Sequence, residues 1–370
     1  MAPLHVISTG ACTPLGARAW QTAAAWHAGL SAFTRQAMTG RRTDRATVAR
    51  VQAIEPECTG ADRLLRLAAP ALYEAMTADD GSGHAAAWPP AAPQAVFLAA
   101  PAAQGASGLP ADAIAQAQRL ALDLPRALDL AAEMLPLQVF AGGAVAGADA
   151  LHAALRFMDE HPEAPSVLVG GVDSFCDTPV ADRLFEQGLL RAGGHADGLI
   201  ASEAAAFLRL ARTAAVAAPE AGPSLALSPP AIRSAPRPRV GSRDTLDGAA
   251  LIAATEQALA QAQMPADGLN AYWCDADGTP WRGSELASLS AALAPRGGMP
   301  PVTAPAGALG DVGAASLPLM LSLFHEQRQA LHHPFMPLPA QGQAGVCALF
   351  SVSGHDARVA ACLAAWLLRR

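Results

Sequence analysis

The stretch Leu137-Gln-Val-Phe-Ala-Gly-Gly-Ala-Val-Ala-Gly-Ala-Asp-Ala-Leu151 decides the fold. It begins with a short apolar run, which is typical of a buried strand. Two glycines follow, and apolar residues then recur at helical spacing, at Val145, Ala148, Leu151, Leu155 and Met158. A strand that passes through Gly-Gly into an amphipathic helix is a βα unit, and it predicts an α/β protein.

Further βα patterns lie on both sides of this stretch. Before it, His5–Ser8 and Ala95–Ala99 read as strands, and a helix is expected over about 17–28. Proline and alanine crowd together over 213–243, after which a helix pattern restarts over about 245–263. We therefore predict an N-terminal half over 1–212, an extended Ala/Pro-rich connection over 213–243 and a C-terminal half over 244–370. Two βα-rich halves suggest an internal duplication.

Composition excludes several classes of function. The chain has 370 residues, 52% of them hydrophobic, and a net charge of −7 without a basic run, which disfavours nucleic-acid binding. No apolar run reaches the roughly 20 residues that span a bilayer, and no secretory signal is visible. The six cysteines form no CxxC pair, so we expect buried thiols in a cytoplasmic protein. All 25 basic residues are arginine, which excludes Schiff-base and P-loop lysines.

Seven blocks occur in the order found in one enzyme family. They resemble or stand in place of its motifs TGxGxVTPLG, TACASGxxAI, AGGAD/E, DGFVxGEGA, HGTGTP, LGHxxGAA (here one residue shorter) and GFGGTNA, at residues 8–16, 142–151, 169–173, 197–205, 275–280, 309–315 and 351–357. The chain thus resembles the β-ketoacyl-ACP synthases of the thiolase superfamily over its whole length. The resemblance implies a thiolase-like α/β fold of duplicated α-β-α-β-α halves with mixed five-stranded sheets. It also implies a dimer, in which we expect the strand Val167–Val172 to pair with its copy.

The resemblance also identifies what this chain has lost. The nucleophilic cysteine falls on Ala144, or on Gly143 if the alignment slips by one residue, and the two histidines fall on Asp275 and Asp311. The supporting lysine falls near Ala306. Since the family's chemistry needs a thiolate and two histidines, no catalytic residues and no cofactor are expected here.

Four other residues are candidates for a remnant pocket. Trp273 and Trp281 bracket Asp275 and are interpreted either as plugs of the old acyl pocket or as ordinary core residues. His355 and Asp356 stand in the loop that closes the family's pocket. With Asp275 and Asp311 they could bind Mg²⁺ or Ca²⁺, but single carboxylates that cap turns are the favoured interpretation, and no metal is expected. The pair His332-His333 is read as a surface pair.

Two functions of different classes follow. The favoured one is an inactive ketosynthase homologue that acts as a structural or binding partner, in a homodimer or in a heterodimer with an active ketosynthase. It would resemble a chain-length factor or serve as an accessory adaptor. Type VI secretion effectors are one candidate partner for the adaptor role, and an acyl carrier protein is a further candidate partner. The alternative is a condensing or decarboxylating enzyme that uses non-standard residues. Cys274 neighbours the first histidine position, but strand alternation is expected to point it away from Asp275.

Overall fold

The computed structural model describes residues 3–38, 41–77, 94–102, 113–127, 137–212, 224–236, 248–331 and 346–367. His332 and His333 lie outside these residues. The N-terminal half is built from β1 (Leu4–Cys12), α1 (Ala19–His27), β2 (Phe33–Met38), β3 (Arg41–Ala49), α2 (Gly60–Thr77), β4 (Val96–Ala100), α3 (Ala113–Ala127), β5 (Leu137–Ala141), α4 (Ala146–Glu160), β6 (Val167–Ser174), α5 (Thr178–Glu186) and β7 (Ala201–Ala211).

The C-terminal part repeats this alternation. It consists of β8 (Ser224–Leu227), β9 (Ala231–Ser234), α6 (Ala249–Gln261), β10 (Ala271–Cys274), α7 (Pro280–Leu293), β11 (Val302–Thr303), α8 (Ala306–Leu309), α9 (Ser316–Leu331), β12 (Cys347–Ser353) and β13 (Arg358–Leu367). Among the described residues, no helix is both long and apolar enough to cross a membrane.

The strand order shows the internal duplication that the sequence suggested. The N-terminal sheet runs β5-β4-β6-β7-β1, and the C-terminal sheet runs β11-β10-β12-β13-β8. Numbered within each half, both orders are 3-2-4-5-1. The central strands are parallel and the last two pairings antiparallel in both halves. The predicted mixed five-stranded sheets are confirmed, and β1 pairs with β8 to join them edge to edge.

Buried side chains divide the molecule into five layers. The largest apolar cluster lies between the two sheets and contains α4 and α9, with Val169 and Leu208 from one sheet and Phe350 and Val352 from the other. A second cluster packs α2 and α3 on the outer face of the N-terminal sheet, and a third packs α6 and α7 on the outer face of the C-terminal sheet. Each strand contributes alternate residues to the two faces, as the period of two requires. The α-β-α-β-α layering is therefore as predicted.

The expected connection over 213–243 contains regular structure where it is described. Residues 224–227 form β8, which pairs with β1 and β13, and residues 231–234 form β9, which pairs with β13. This part of the connection belongs to the sheet and joins the halves. The domain boundaries at 212 and 244 stay a prediction.

The expectation that β6 forms a dimer edge is wrong. This strand lies between β4 and β7 and pairs with both, so its hydrogen-bonding groups are already used. The two glycines of β6 allow close packing against neighbouring residues. A Cβ on Gly170 would lie 2.1 Å from the Phe207 ring, and a Cβ on Gly171 would lie 2.2 Å from the Ala314 carbonyl oxygen, so neither position has room for a larger side chain. The outermost strand on this side is β5, which among the described residues pairs only with β4.

Candidate functional site

The turn between β5 and α4 carries no nucleophile. Gly143 has a φ of +62°, a conformation that glycine adopts at little cost, and it starts a 3₁₀ turn that continues into α4. The next residue, Ala144, is 5% exposed. Because a methyl group has no lone pair, the position predicted for the nucleophile cannot form a covalent acyl intermediate.

Three buried carboxylates converge on Arg282, the third residue of α7. Its Nη1 lies 2.8 Å from Asp277 Oδ2 and 2.9 Å from Asp311 Oδ2, and its Nη2 lies 3.3 Å from Asp275 Oδ2. The Arg282 side chain is 2% exposed, and none of the three carboxylates exceeds 8%. Thus the two positions predicted for the family's histidines do come together, and a guanidinium joins them.

Backbone and hydroxyl donors complete the cluster. The second Arg282 nitrogen, Nη2, also donates to the carbonyl oxygen of Ser353 at 3.2 Å. Each carboxylate accepts a further bond, from the N–H of Ser353 to Asp275 (2.9 Å), from the N–H of Gly313 to Asp311 (2.9 Å) and from the hydroxyl of Thr279 to Asp277 (2.6 Å). These bonds hold the three carboxylates around the guanidinium. Two buried atoms of the cluster, Asp277 Oδ2 and Arg282 Nε, have no hydrogen-bond partner among the described residues.

The cluster shifts the pKa values of Asp275 and Asp311 in opposite directions. Burial raises the pKa of Asp275 to about 6, although Arg282 and the Ser353 N–H act in the opposite direction. Burial also acts to raise the pKa of Asp311, but Arg282 and the hydrogen bond from His355 outweigh it and hold this pKa below its usual value. The three carboxylates likewise outweigh burial and raise the pKa of Arg282 above its ordinary value. Asp311 and Arg282 therefore form a permanently charged pair.

His355 lies at the rim of this cluster. Its Nε2 is 2.8 Å from Asp311 Oδ2, and its ring stacks on Phe175 at 5.5 Å with an interplanar angle of 8°. Trp281 meets the same ring edge to face at 6.1 Å and also lies 4.7 Å below the Arg282 guanidinium. Two of the four predicted pocket residues, Trp281 and His355, are thus brought together at the cluster.

The other two predicted pocket residues lie apart from it. Trp273 is 2% exposed and belongs to the core between the sheets, where it packs on Trp26, Phe324 and Phe350. It is a core residue, the second of the two interpretations. Asp356 accepts the backbone N–H of Arg358 at 2.9 Å. This carboxylate therefore caps its own turn.

Asp173 links the halves behind the cluster. At the end of β6, its Oδ2 accepts the N–H of Ala314 at 2.9 Å and its Oδ1 accepts the N–H of Ser174 at 2.9 Å. Burial raises the pKa of Asp173 to about 7, against the effect of these two N–H groups. The carboxyl thus holds the turn before α9 against the N-terminal sheet.

Little space remains beside the carboxylates. A cavity of about 20 Å³ is bounded by Cys274, Asp275, Asp311, Ser316 and other residues of α8 and α9. Since a single water occupies a cavity of roughly this size, no acyl chain fits there. Burial raises the pKa of Cys274 to about 12, so this thiol is not an activated nucleophile at neutral pH. Among the described residues, no group of three or more His, Cys, Asp or Glu is arranged to hold a metal ion.

Sequence reasoning did not find Arg282 and Asp277, the residues that close the cluster. Both lie within or just after the 275–280 block, where Thr279 and Pro280 predict a helix start. The sequence did show an arginine at the third position of a predicted helix, close to two carboxylates that replace the family's histidines. Whether the Arg282 side chain points toward the pocket or toward water depends on the rotational phase of α7, which the sequence does not predict.

Comparison with solved structures identifies the fold. The chain matches the ishigamide ketosynthase/chain length factor with a TM-score of 0.68 and 22% identity, covering 99% of this chain and 100% of that one. It matches a type II polyketide acyl-carrier protein in complex with its ketosynthase, AntDE:AntF, with a TM-score of 0.75 and 15% identity, covering 99% of each chain. An oxazolomycin ketosynthase domain from Streptomyces albus gives 0.71 and 14%, covering 100% of this chain and 75% of that one.

No family model matches this chain, and no curated protein matches it in sequence. The structural likeness extends over nearly the whole chain, and it agrees with the duplicated 3-2-4-5-1 sheets and the five layers. The chain therefore has the thiolase-like fold of ketosynthases and chain length factors.

Proposed function

We propose that this chain is a catalytically inactive ketosynthase-fold subunit that acts as a binding partner. The observation that carries the proposal is the replacement of a reactive pocket by a closed ionic cluster, in which Arg282 holds Asp275 and Asp311. A condensing site needs donors where negative charge develops on the enolate oxygen. Ionised carboxylates only accept hydrogen bonds, and both terminal nitrogens of the buried guanidinium already lie against them.

Two kinds of partner agree with this fold. One is an active ketosynthase, which this chain would complement as a chain-length-factor-like subunit, with an acyl carrier protein as a possible third component. The ishigamide and AntDE:AntF structures are named for such assemblies. The other is a protein that uses the fold as an adaptor, for which a type VI secretion effector is our suggestion. The six unpaired cysteines agree with a reducing cytoplasmic location.

The edge of β5 that is unpaired among the described residues is the surface that we expect a partner to cover. Its residues are half-buried or exposed and carry no charge, and an uncharged edge strand invites pairing with another chain. Beside it lies a groove of about 630 Å³ between α4 and α6, with Phe97, Phe140 and Phe157 among its lining residues. The opposite edge of the sheet, β11, has only two residues.

Substituting Ala141→Arg on β5 is expected to convert the assembly into monomers at micromolar concentration. Ala141 is exposed in the isolated chain, so the charge leaves the fold intact and acts only when a partner strand approaches. Multi-angle light scattering after gel filtration measures the change. Val302→Arg on β11 is the matched control, since Val302 is 45% exposed on the other edge. If the wild type is a dimer and Ala141→Arg has the same mass, the assignment of this surface is contradicted.

Restoring the thiol is expected to restore no chemistry. Ala144→Cys supplies a nucleophile, but Asp275 and Asp311 still offer no donor to an enolate, and the space beside them holds only about 20 Å³. Wild type and Ala144→Cys should both release carbon dioxide from malonyl-ACP no faster than a boiled sample. Release above that background by the wild type would favour the alternative, an enzyme that uses non-standard residues.

A pull-down from the native cell extract tests the proposed role directly. The wild-type chain and Ala141→Arg serve as paired baits, and mass spectrometry identifies proteins that only the wild type retains. A ketosynthase with an intact Cys-His-His set would identify a biosynthetic heterodimer. A secretion effector would identify an adaptor. If neither bait retains a protein and the wild type is a monomer, the partner role is refuted.

A further inference from the structure

The groove between α4 and α6 has the size and the lining of a small-molecule site. Its volume is about 630 Å³, and three phenylalanines line it, Phe97 of β4, Phe140 of β5 and Phe157 of α4. Phe97 and Phe157 meet edge to face, with their ring centroids 5.8 Å apart. Phe140 and Phe157 are only half-buried, so neither is fully covered by the fold. Cavities of this volume with aromatic walls and a few polar groups are where proteins usually bind small ligands.

The charged residues of the lining leave one cation without an anion. Asp149 accepts two bonds from Arg358 Nη2, at 2.7 and 2.8 Å, and Glu160 lies 3.2 Å from Arg156. Both acidic groups of the lining are therefore paired with an arginine. Arg233 of β9 lines the same groove and is exposed, and its Nη1 donates to a carbonyl oxygen of its own strand at 3.0 Å. Within the part of the chain that the structure describes, no carboxylate pairs with Arg233.

One buried acceptor of the lining has no donor. Gln257 of α6 borders the groove, and its Oε1 is buried without a hydrogen-bond partner among the described residues. A buried polar atom that is left unpaired is unfavourable, and a donor that reaches it is correspondingly favourable. The two other glutamines of the lining, Gln138 and Gln261, are exposed and can bond to water. The groove thus offers aromatic surface, one unpaired cation and one unpaired acceptor.

We infer that this groove binds an amphipathic aromatic carboxylate that carries an N–H donor. The aromatic body would pack on the phenylalanine rings, for which edge-to-face and offset contacts are favourable. The carboxylate would pair with Arg233, since a guanidinium matches the geometry of a carboxylate. The N–H would donate to Gln257 Oε1. The site lies beside β5 but needs no partner strand, so the inference does not rest on the proposed function.

Titration of the full chain with three probes tests this ligand class. Indole-3-acetate has the aromatic body, the carboxylate and the N–H, whereas indole-3-acetamide lacks the charge and naphthalene-1-acetate lacks the N–H. Saturation-transfer difference NMR measures each Kd. For a molecule of this size we expect a Kd of about 1 mM or lower for indole-3-acetate. Each of the two other probes should bind about fivefold more weakly, because each loses one polar contact.

Two variants of the lining assign each preference to its residue. Arg233→Gln should bind indole-3-acetate and indole-3-acetamide equally, while it still prefers indole-3-acetate to naphthalene-1-acetate. Gln257→Met keeps the length of the side chain but removes the acceptor, so it should lose the second preference and retain the first. Arg126→Gln is the matched control for a change of charge, since Arg126 is 73% exposed on α3, on the outer face of the N-terminal sheet. This control should bind all three probes as the wild type does.

The same titrations with Ala141→Arg separate the ligand site from the proposed partner role. Ala141 alternates with Phe140 along β5 and so faces the opposite side of the strand from the groove. Saturable binding to Ala141→Arg alone would support the site and show that a partner covers it in the wild type. Saturable binding to a monomeric wild type would support the site while it contradicts the partner role. The inference is overturned if neither protein binds indole-3-acetate saturably, if the three probes bind equally, or if either lining variant keeps the preference that it should lose.

Discussion

Replacing Arg282 with alanine is expected to lower the free energy of unfolding by about 3–5 kcal/mol, because it leaves buried charges without a partner. Asp311 is expected to be destabilised most by the loss of Arg282. Its carboxylate is held ionised by Arg282, and its side chain is only 1% accessible to water. Asp277 also loses its only cation among the described residues. Urea unfolding followed by circular dichroism measures the change.

A double-mutant comparison identifies the mechanism. Asp311→Asn alone should destabilise the chain, because it removes a partner of Arg282 and His355. In the Arg282→Ala background the same change should stabilise it, because it removes an unpaired charge. Arg296→Ala is the control: its ion pair with Glu256 is about half exposed and should contribute less than about 1 kcal/mol. If Asp311→Asn has the same sign in both backgrounds, charge compensation is not the role of Arg282.

The fold could be predicted because the relevant signals are local. The β5–α4 unit is visible as a short apolar run, two glycines and a helical stripe, and Gly143 occupies the left-handed conformation that such a turn needs. The order of the blocks then indicated the duplicated architecture. The position of Ala144 in the turn before α4 also follows from that local pattern.

The strand at the sheet edge could not be predicted, since β5 and β6 are both short apolar runs. Which one is central depends on crossover connections between distant segments, and these are not encoded in strand composition. Trp273 shows a related limit. Strand alternation places it on the same face as Asp275 and opposite Cys274, but that face includes both the core and the pocket. Periodicity alone cannot tell whether Trp273 lies in the core or lines the pocket.

The ionic cluster illustrates why a site is harder to predict than a fold. The blocks placed Asp275, Asp311 and His355 near one another, and the structure brings all three to one point. The identity of the compensating cation was the missing element. The sequence interpretation considered a bound metal or turn caps, whereas the structure supplies Arg282 from α7. That choice depends on the rotational phase of α7, which sets whether Arg282 points toward the pocket or toward water.

The free energy of unfolding is expected to fall as pH rises from about 4 to 7. Glu74 of α2 shows the cause: it is buried, and it accepts the N–H groups of Ala11 and Ala19 at 2.9 and 3.0 Å. Burial raises its pKa to about 7 despite these bonds, and the pKa values of Asp173 and Asp275 are raised in the same direction. In this range the unfolded chain releases protons that the folded chain retains, so each such group lowers stability by up to about 1.4 kcal/mol per pH unit.

Glu74→Gln separates this effect from structural damage, since the amide oxygen can still accept the N–H groups that link α2 to β1 and α1. Near pH 4 the folded carboxyl is protonated, and the variant should equal the wild type. At pH 8 the variant should be more stable by about 2–3 kcal/mol, because it no longer loses a proton inside the fold. Glu186→Gln, at an exposed position on α5, should leave the whole profile unchanged. Urea unfolding at a series of pH values measures the free energy of unfolding of all three proteins. If Glu74→Gln is less stable than the wild type at every pH, the prediction is wrong. That result would show that the carboxylate bonds to Ala11 and Ala19 outweigh the burial of its charge.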